Sequence, residues 1–254
     1  MSARSKAKSQ LPAGSPGDKA GSGEDPSVAA KALSRIIERG SRVQAPAVKA
    51  YVDRLREQDP HAAPAEVIKK LEKRYLSAVM ASGAAVGSAA AFPGIGTLTA
   101  MASVAGETVV FLEATALYVL AVAEVHGIPA EHQERRRALV LAVLVGEDSK
   151  RAIADLVGRG RTRGAWVADG AATLPLPALS QLNSRLLRYF VKRYTLKRGA
   201  LAFGKTLPVG VGAVVGGVGN RLMGKRIIDN AHSAFGTPPP RWPTVVHMLP
   251  ASKD

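Results

Sequence analysis

The stretch LSAVMASGAAVGSAAAFPGIGTLTAMASVAG, residues 76–106, is a run of 31 residues without a charge. A transmembrane helix needs about 20 predominantly apolar residues, but Pro93-Gly94 interrupts this run near its middle. Ala, Gly and Ser dominate each half, and such residues supply little transfer free energy while allowing close backbone approach. The stretch therefore predicts a helix, a turn at residues 93–96 and a second helix packed tightly against the first.

A second region of small residues lies near the C-terminal end. Gly212, Gly216, Asn220 and Gly224 recur every four residues, so they share one helix face and predict a seam for another helix. The two regions also resemble each other, SGAAVGSAAAFPGIGT against RGALAFGKTLPVGVGA, which indicates either a duplicated pair or a chance similarity of Ala/Gly-rich text. The predicted helix-packing residues are Gly83, Gly87, Pro93, Gly94, Gly96, Gly212, Gly216 and Asn220.

Proline and glycine mark helix boundaries along the rest of the chain. Pro46 and Pro64 stand where helices begin, and Gly236 stands where the last helix ends. Gly127 occupies a C′ position, and Pro129 can begin the next helix. No turn flanked by alternating residues predicts a hairpin, so the fold class predicted is all-α, a compact helical domain with Gly/Ala-rich helical hairpins.

The chain divides into four parts by composition. Residues 1–28 are rich in Ser, Gly, Lys and Pro and lack the apolar segment of a secretory signal, which predicts a disordered cytoplasmic tail. We expect N-terminal helices over 29–63, the main helical domain over 64–236 and an extended Pro-rich tail over 237–254. Within the domain, ALVLAVLVG at 138–146 fits a buried helix or a strand equally well.

Charge is distributed unevenly. The net charge is +15, and residues 150–254 hold 17 Lys and Arg against 4 Asp and Glu, whereas 1–149 hold 18 against 16. Such a basic region attracts nucleic acid, anionic lipid or an acidic protein face, or it forms an ordinary solvated surface. The chain contains no cysteine, which excludes disulfides, thiolate metal sites and a cysteine nucleophile.

The segment LNSRLLRYFVKRYTLKR, residues 182–198, predicts a basic amphipathic helix. Its aromatic and aliphatic stripe beside clustered cations suits an anionic membrane surface, although core packing with a solvated basic face explains the pattern equally well. Nucleic acid is the weakest candidate, because none of the recognised binding modules is present. The candidate membrane- or partner-binding residues are Arg185, Arg188, Lys192, Arg193, Lys197 and Arg198.

GALAFGKT, residues 199–206, matches the P-loop pattern GxxxxGK[ST]. A phosphate-binding loop also needs a buried strand before it and a helix that begins at the lysine. The preceding FVKRYTLKR has four cationic residues in nine, which a central parallel strand would not bury. We therefore interpret the match as a coincidence and nucleotide binding as the weaker alternative.

Carboxylates interrupt apolar helical sequence at Glu107 and Glu113. If buried, they need partners, which Arg198, Arg221 or Lys225 could supply as structural ion pairs. A hydrolase site built around the two glutamates is the alternative function. His126, Glu131, His132 and Glu134 carry metal-binding atoms, but their spacing is not that of a zinc motif, so we predict neither a metal nor a cofactor.

Several of these segments together resemble the EcsC family of bacteria: SGAAVGSAAAFPGIGT, HGIP, RRRALVLAVLVGED, LPVGVGAVVGGVGN and AFGTPP, spanning about Glu72 to Pro239. That family is named after a component encoded with an ABC transporter and has no settled activity. The resemblance implies a helical, membrane-linked accessory role. With the basic helix, it makes an anionic membrane surface and a membrane transporter the candidate partners, and we expect a cytoplasmic protein that is peripheral or partly inserted at the inner face of the membrane. It implies no catalytic residue, and the sequence does not specify an oligomeric state.

Overall fold

The computed structural model describes residues 46–89, 97–128, 132–157, 174–201 and 211–243. Side chains at 86–89, 97–105, 155–157, 192–201 and 211–216 lie outside that description, as do the predicted N-terminal tail and the turn at 93–96. The described residues contain no strand, so the all-α prediction is confirmed for them. The helices are α1 (46–58), α2 (Pro64–Ala89), α3 (Thr97–Val125), α4 (Gln133–Val145), α5 (Glu147–Val157), α6 (Leu176–Leu201) and α7 (Val211–Phe235).

The predicted helix boundaries agree with the structure at three positions. The α2 helix begins at Pro64, whereas the residues before Pro46 lie outside the description, so the predicted helix start at Pro46 stays a prediction. The α3 and α7 helices end just before Gly127 and Gly236, whose φ angles of 69° and 75° are left-handed. Glycine adopts this conformation without steric cost, which is why these positions end helices.

The start of α4 was predicted wrongly. This helix begins at Gln133 rather than at Pro129, because His132 has an extended backbone with φ −83° and ψ 132° and forms the N-cap. Glu134 therefore is the acidic residue in the first turn of α4. A proline permits a helix to begin at its position but does not require it.

The apolar run at 138–146 forms the central helix of the protein, which decides between the two predicted alternatives. Every residue of α4 from Ala138 to Val143 is buried, and the helix contacts α3, α5, α6 and α7. It ends at Gly146, whose φ is 73° and whose N–H donates to the Ala142 carbonyl. A helix surrounded by neighbours buries all its faces, so it loses the amphipathic period that would have identified it.

Helices α2, α3 and α7 pack together as a bundle. Tyr75 of α2 bonds to Thr115 of α3, whereas the later residue Val79 lies level with the earlier Glu107, so α2 and α3 are antiparallel. The α7 helix is also antiparallel to α2, since Asn220 meets Val79 while Gly224 faces Leu76 and Tyr75. Consequently α3 and α7 run in the same direction on α2.

Charged and aromatic side chains hold the other end of this bundle. Trp242, after α7, donates its indole N–H to the Ala62 carbonyl at 3.0 Å, and the Arg56 guanidinium lies 4.3 Å from the Trp242 ring centre. Lys70 pairs with Asp59 at 2.9 Å. The described part of the predicted C-terminal tail, 237–243, is non-helical and packs against the α1–α2 connection.

Candidate functional site

The basic helix α6 has its apolar stripe in the protein core. Leu179, Leu182 and Leu186 are fully buried, and the helix contacts α4 and α5. Asn183 fixes its position by donating to the Glu134 carbonyl at 3.0 Å and to the Glu134 carboxylate at 2.6 Å. The amphipathic pattern was therefore predicted correctly, but its apolar face is already covered by protein.

The outward face of α6 is polar and cationic. Arg185 and Arg188 are exposed, and with Ser180, Gln181 and Ser184 they line an open depression of about 310 Å³. Arginine forks bind phosphate oxygens in bidentate fashion, whereas the Ser184 hydroxyl donates to the Ser180 carbonyl at 3.1 Å. The side chains of the other predicted cations, Lys192, Arg193, Lys197 and Arg198, lie outside the described residues.

The predicted small-residue seam exists where the structure describes it. A Cβ added at Gly224 would lie 3.0 Å from Leu76 Cδ2 and 3.1 Å from Val79 Cγ2. Gly217 lies against the Met80 carbonyl and Ala84, and Gly83 is buried. These contacts show that the glycine face of α7 packs on α2. Gly87, Gly212 and Gly216 lie in helical backbone, but their surroundings are outside the description, and so are Pro93, Gly94 and Gly96.

Asn220 joins all three helices of the bundle. Its amide Nδ2 donates at 2.8 Å to the Val79 carbonyl and at 2.8 Å to the Glu107 carboxylate. The side chain is buried, with 9% exposed. Glu107 thus accepts a hydrogen bond from a neutral amide, a contact that the sequence did not predict, while the side chain of Arg198, one of its predicted partners, lies outside the described residues.

Glu113 does not share the environment of Glu107. The structure leaves Glu113 exposed, so the prediction of a buried carboxylate is wrong there, whereas Glu107 is half-buried. Six residues of helix turn the chain by about 600°, which leaves the two side chains about 120° apart around the axis. The two carboxylates therefore do not converge, and a hydrolase site built on the pair has no geometric support.

Two buried tyrosines form a network that sequence reasoning missed. Thr115 Oγ1 donates to the Phe111 carbonyl at 2.7 Å, so the Tyr75 hydroxyl, 2.9 Å from Thr115 Oγ1, acts as donor to it. The rings of Tyr75 and Tyr118 stack with centres 4.8 Å apart. Burial raises the pKa of both phenols well above the ordinary value, so both stay neutral and serve packing. Tyr75 directly precedes the uncharged run 76–106, and this position is the one sequence feature that could have drawn attention to either tyrosine.

His126 lies at the C-terminal end of α3 and packs on Phe235, with ring centres 5.4 Å apart. Its Nδ1 is 2.9 Å from the Val122 carbonyl, which can only accept, so Nδ1 carries a proton. Burial lowers the pKa of His126, an effect that backbone groups of Val122 and Gly236 partly offset. Among the described residues, no three His, Asp or Glu side chains are grouped to hold a metal ion.

The backbone around GALAFGKT differs from that of a phosphate-binding loop. Gly199 to Leu201 form the last residues of α6, and the segment before them is helix from Leu176 onward rather than strand. A P-loop requires the strand to hold its backbone N–H groups around the phosphates. The described residues before and within the match thus do not include the strand that a P-loop needs. Lys205 and Thr206 lie outside the described residues.

One described helical segment, Gly106–Val125, is long and apolar enough to cross a membrane. It is also 61% buried inside the protein, where it packs on α2 and α4. A core helix of a globular protein has the same length and composition. Length and composition of this segment therefore fit a membrane span and a buried core helix alike.

Comparison of the sequence with protein-family models gave no match, and comparisons with curated proteins and with solved structures gave none either. The resemblance to the EcsC family therefore stays a prediction. The contacts, burial and charges of the described residues are therefore the basis for the function of this protein.

Proposed function

We propose that this protein is a non-enzymatic accessory protein that binds an anionic membrane surface from the cytoplasmic side. The observation that supports this proposal is the outward face of α6, where Arg185 and Arg188 are exposed on a helix anchored in the core by Leu179, Leu182 and Leu186. A cationic face held on a rigid helix can approach phosphate headgroups without unfolding any part of the protein.

Charge distribution favours the same partner. Residues 150–254 carry 17 Lys and Arg against 4 Asp and Glu, so this half has a strong positive field. Each Lys or Arg near an anionic leaflet contributes about 1 kcal/mol, and the contributions add for several side chains. The finer proposal, that a membrane transporter is assisted, rests on the EcsC resemblance alone.

Co-sedimentation with liposomes of graded phosphatidylglycerol content tests the proposal. Binding should rise with anionic content, and Arg185→Gln with Arg188→Gln should weaken it by about 30-fold, from about 1 kcal/mol for each cation. The matched control replaces two exposed lysines of α2, Lys69→Gln and Lys73→Gln, which removes the same charge elsewhere. Equal losses in the two variants would mean that net charge, and not the α6 face, controls binding; no binding at any content would refute the proposal.

A further inference from the structure

Helices α2, α3 and α7 leave the Asn220 layer in one direction. Because α2 is antiparallel to the other two, the residues after Val79, before Glu107 and before Asn220 all extend toward the same end of the bundle. We call these three helical ends the apolar tip, residues 80–89, 97–106 and 211–219. The apolar tip thus gathers segments that are far apart in sequence.

The apolar tip contains no Asp, Glu, Lys, Arg or His in any of its three segments. At 1.5 Å per residue, ten helical residues extend about 15 Å beyond the Asn220 layer. The hydrocarbon core of a bilayer is about 30 Å thick, so about 15 Å corresponds to one leaflet. Helical backbone also satisfies its own hydrogen bonds, which the hydrocarbon region requires.

Exposed apolar side chains mark the base of the apolar tip. On α7, Val218 is 50%, Leu222 59% and Met223 49% exposed, and on α3 Val110 is 46% exposed. Val110 follows Glu107 by three residues, as Met223 follows Asn220, so these side chains lie at similar depth on two parallel helices. Apolar residues at one level on neighbouring helices are more than the scattered exposure normal for a soluble surface.

Cations adjoin this apolar level. Lys225 and Arg226 of α7 are exposed and lie about one turn beyond Leu222, whereas the exposed Arg221 lies between Val218 and Leu222. Long cationic side chains beside apolar surface place their charge at the level of lipid headgroups. Along α7, the uncharged residues 211–219 thus precede the cations at 221, 225 and 226, in the order of hydrocarbon and headgroup in an anionic leaflet.

Two polar groups at the boundary have a hydrogen-bond partner within the protein. Glu107 Oε1 and the Val79 carbonyl both accept from Asn220 Nδ2, which lowers the cost of bringing this layer to the membrane interface.

We infer that the apolar tip inserts into one leaflet of an anionic bilayer, with Arg221, Lys225 and Arg226 at the headgroup level. This inference rests on the proposed function, which brings the protein to the membrane. It adds a second mode of attachment, insertion, which resists salt, whereas the electrostatic attraction of α6 is screened as the Debye length falls from about 10 Å at 0.1 M to about 3 Å at 1 M.

Single-cysteine labelling of the full chain tests insertion directly, since the natural sequence has no cysteine. An environment-sensitive fluorophore at Val218→Cys or Leu222→Cys should shift to shorter wavelength on phosphatidylcholine–phosphatidylglycerol vesicles and be quenched by nitroxide-labelled lipid. The matched control is Leu117→Cys on α3, which is 42% exposed but lies about 15 Å from the Glu107 level, away from the apolar tip. Its fluorophore should stay in water.

A charge substitution supplies the second readout. Leu222→Glu should lower the fraction that remains bound after a high-salt wash by about tenfold or more, from the transfer free energy of a leucine side chain. Leu117→Glu should leave that fraction unchanged. Vesicle binding that salt removes completely, with aqueous labels at 218 and 222, would overturn insertion and leave the proposed function intact. Equal signals from 117 and 222 would overturn it too, and no vesicle binding would overturn both.

Discussion

Asn220 offers the sharpest test of the bundle, because one buried amide connects three helices. Replacing Asn220 by Leu keeps a similar volume but removes the donor to the half-buried Glu107 carboxylate. A hydrogen bond to a charged group contributes about 1.5 to 3 kcal/mol. The Val79 carbonyl loses less, since a helical carbonyl keeps its partner within the helix.

We therefore expect Asn220→Leu to lower the free energy of unfolding by about 2 kcal/mol. For a chain of this size that corresponds to a fall in Tm of about 4 to 8 °C. Urea unfolding followed by circular dichroism at equilibrium measures the change. Glu113→Leu, on the α3 helix that also carries Glu107, is the control: loss of its exposed carboxylate should change the free energy of unfolding by less than about 0.5 kcal/mol.

The double variant decides whether the reasoning holds. Removing both partners, with Asn220→Leu and Glu107→Leu, eliminates the unpaired carboxylate and should recover much of the loss, giving a coupling energy of about 1 to 3 kcal/mol. Strictly additive effects, or a single variant as stable as the natural protein, would refute the proposed role of Asn220.

Three further predictions follow from the seam, the histidine and the glycine-rich match. Gly224→Leu should lower the free energy of unfolding by about 1 to 3 kcal/mol, because the new side chain overpacks against α2. Gly219→Ala is the control, since an added Cβ meets nothing within 4 Å there, and it should stabilise α7 by up to about 1 kcal/mol. Equal effects of the two variants in thermal melts would exclude the seam. Burial lowers the pKa of His126, so the unfolded chain binds a proton at this residue more readily than the folded protein. The contribution of His126 to the free energy of unfolding should therefore be constant above about pH 6.5 and fall below it by up to about 1.4 kcal/mol per pH unit until the lowered pKa is passed. His126→Gln should reduce that slope. Mg·ATP should not raise Tm, and a shift abolished by Lys205→Ala would contradict a coincidental match, since ligand at a hundred times its Kd adds about 2.7 kcal/mol.

The sequence by itself determined the local features of this protein. Pro64, Gly127 and Gly236 mark helix ends correctly because a fixed or left-handed φ is a property of the residue and its immediate neighbours. The apolar stripe and basic face of α6 were likewise predictable, since a helix of known period places each residue on a face.

Only the tertiary structure decided which faces are covered and by what. Asn220 is 141 residues from Val79 and 113 from Glu107, and nothing in the local sequence at any of the three identifies the other two. Glu113 is exposed and Glu107 half-buried for the same reason: two glutamates in similar apolar sequence differ only in whether α7 packs over them. Helix ends depend on the φ and ψ angles of single residues, and the sequence therefore predicted them. Burial and side-chain pairing depend on how distant helices pack, which the local sequence does not contain.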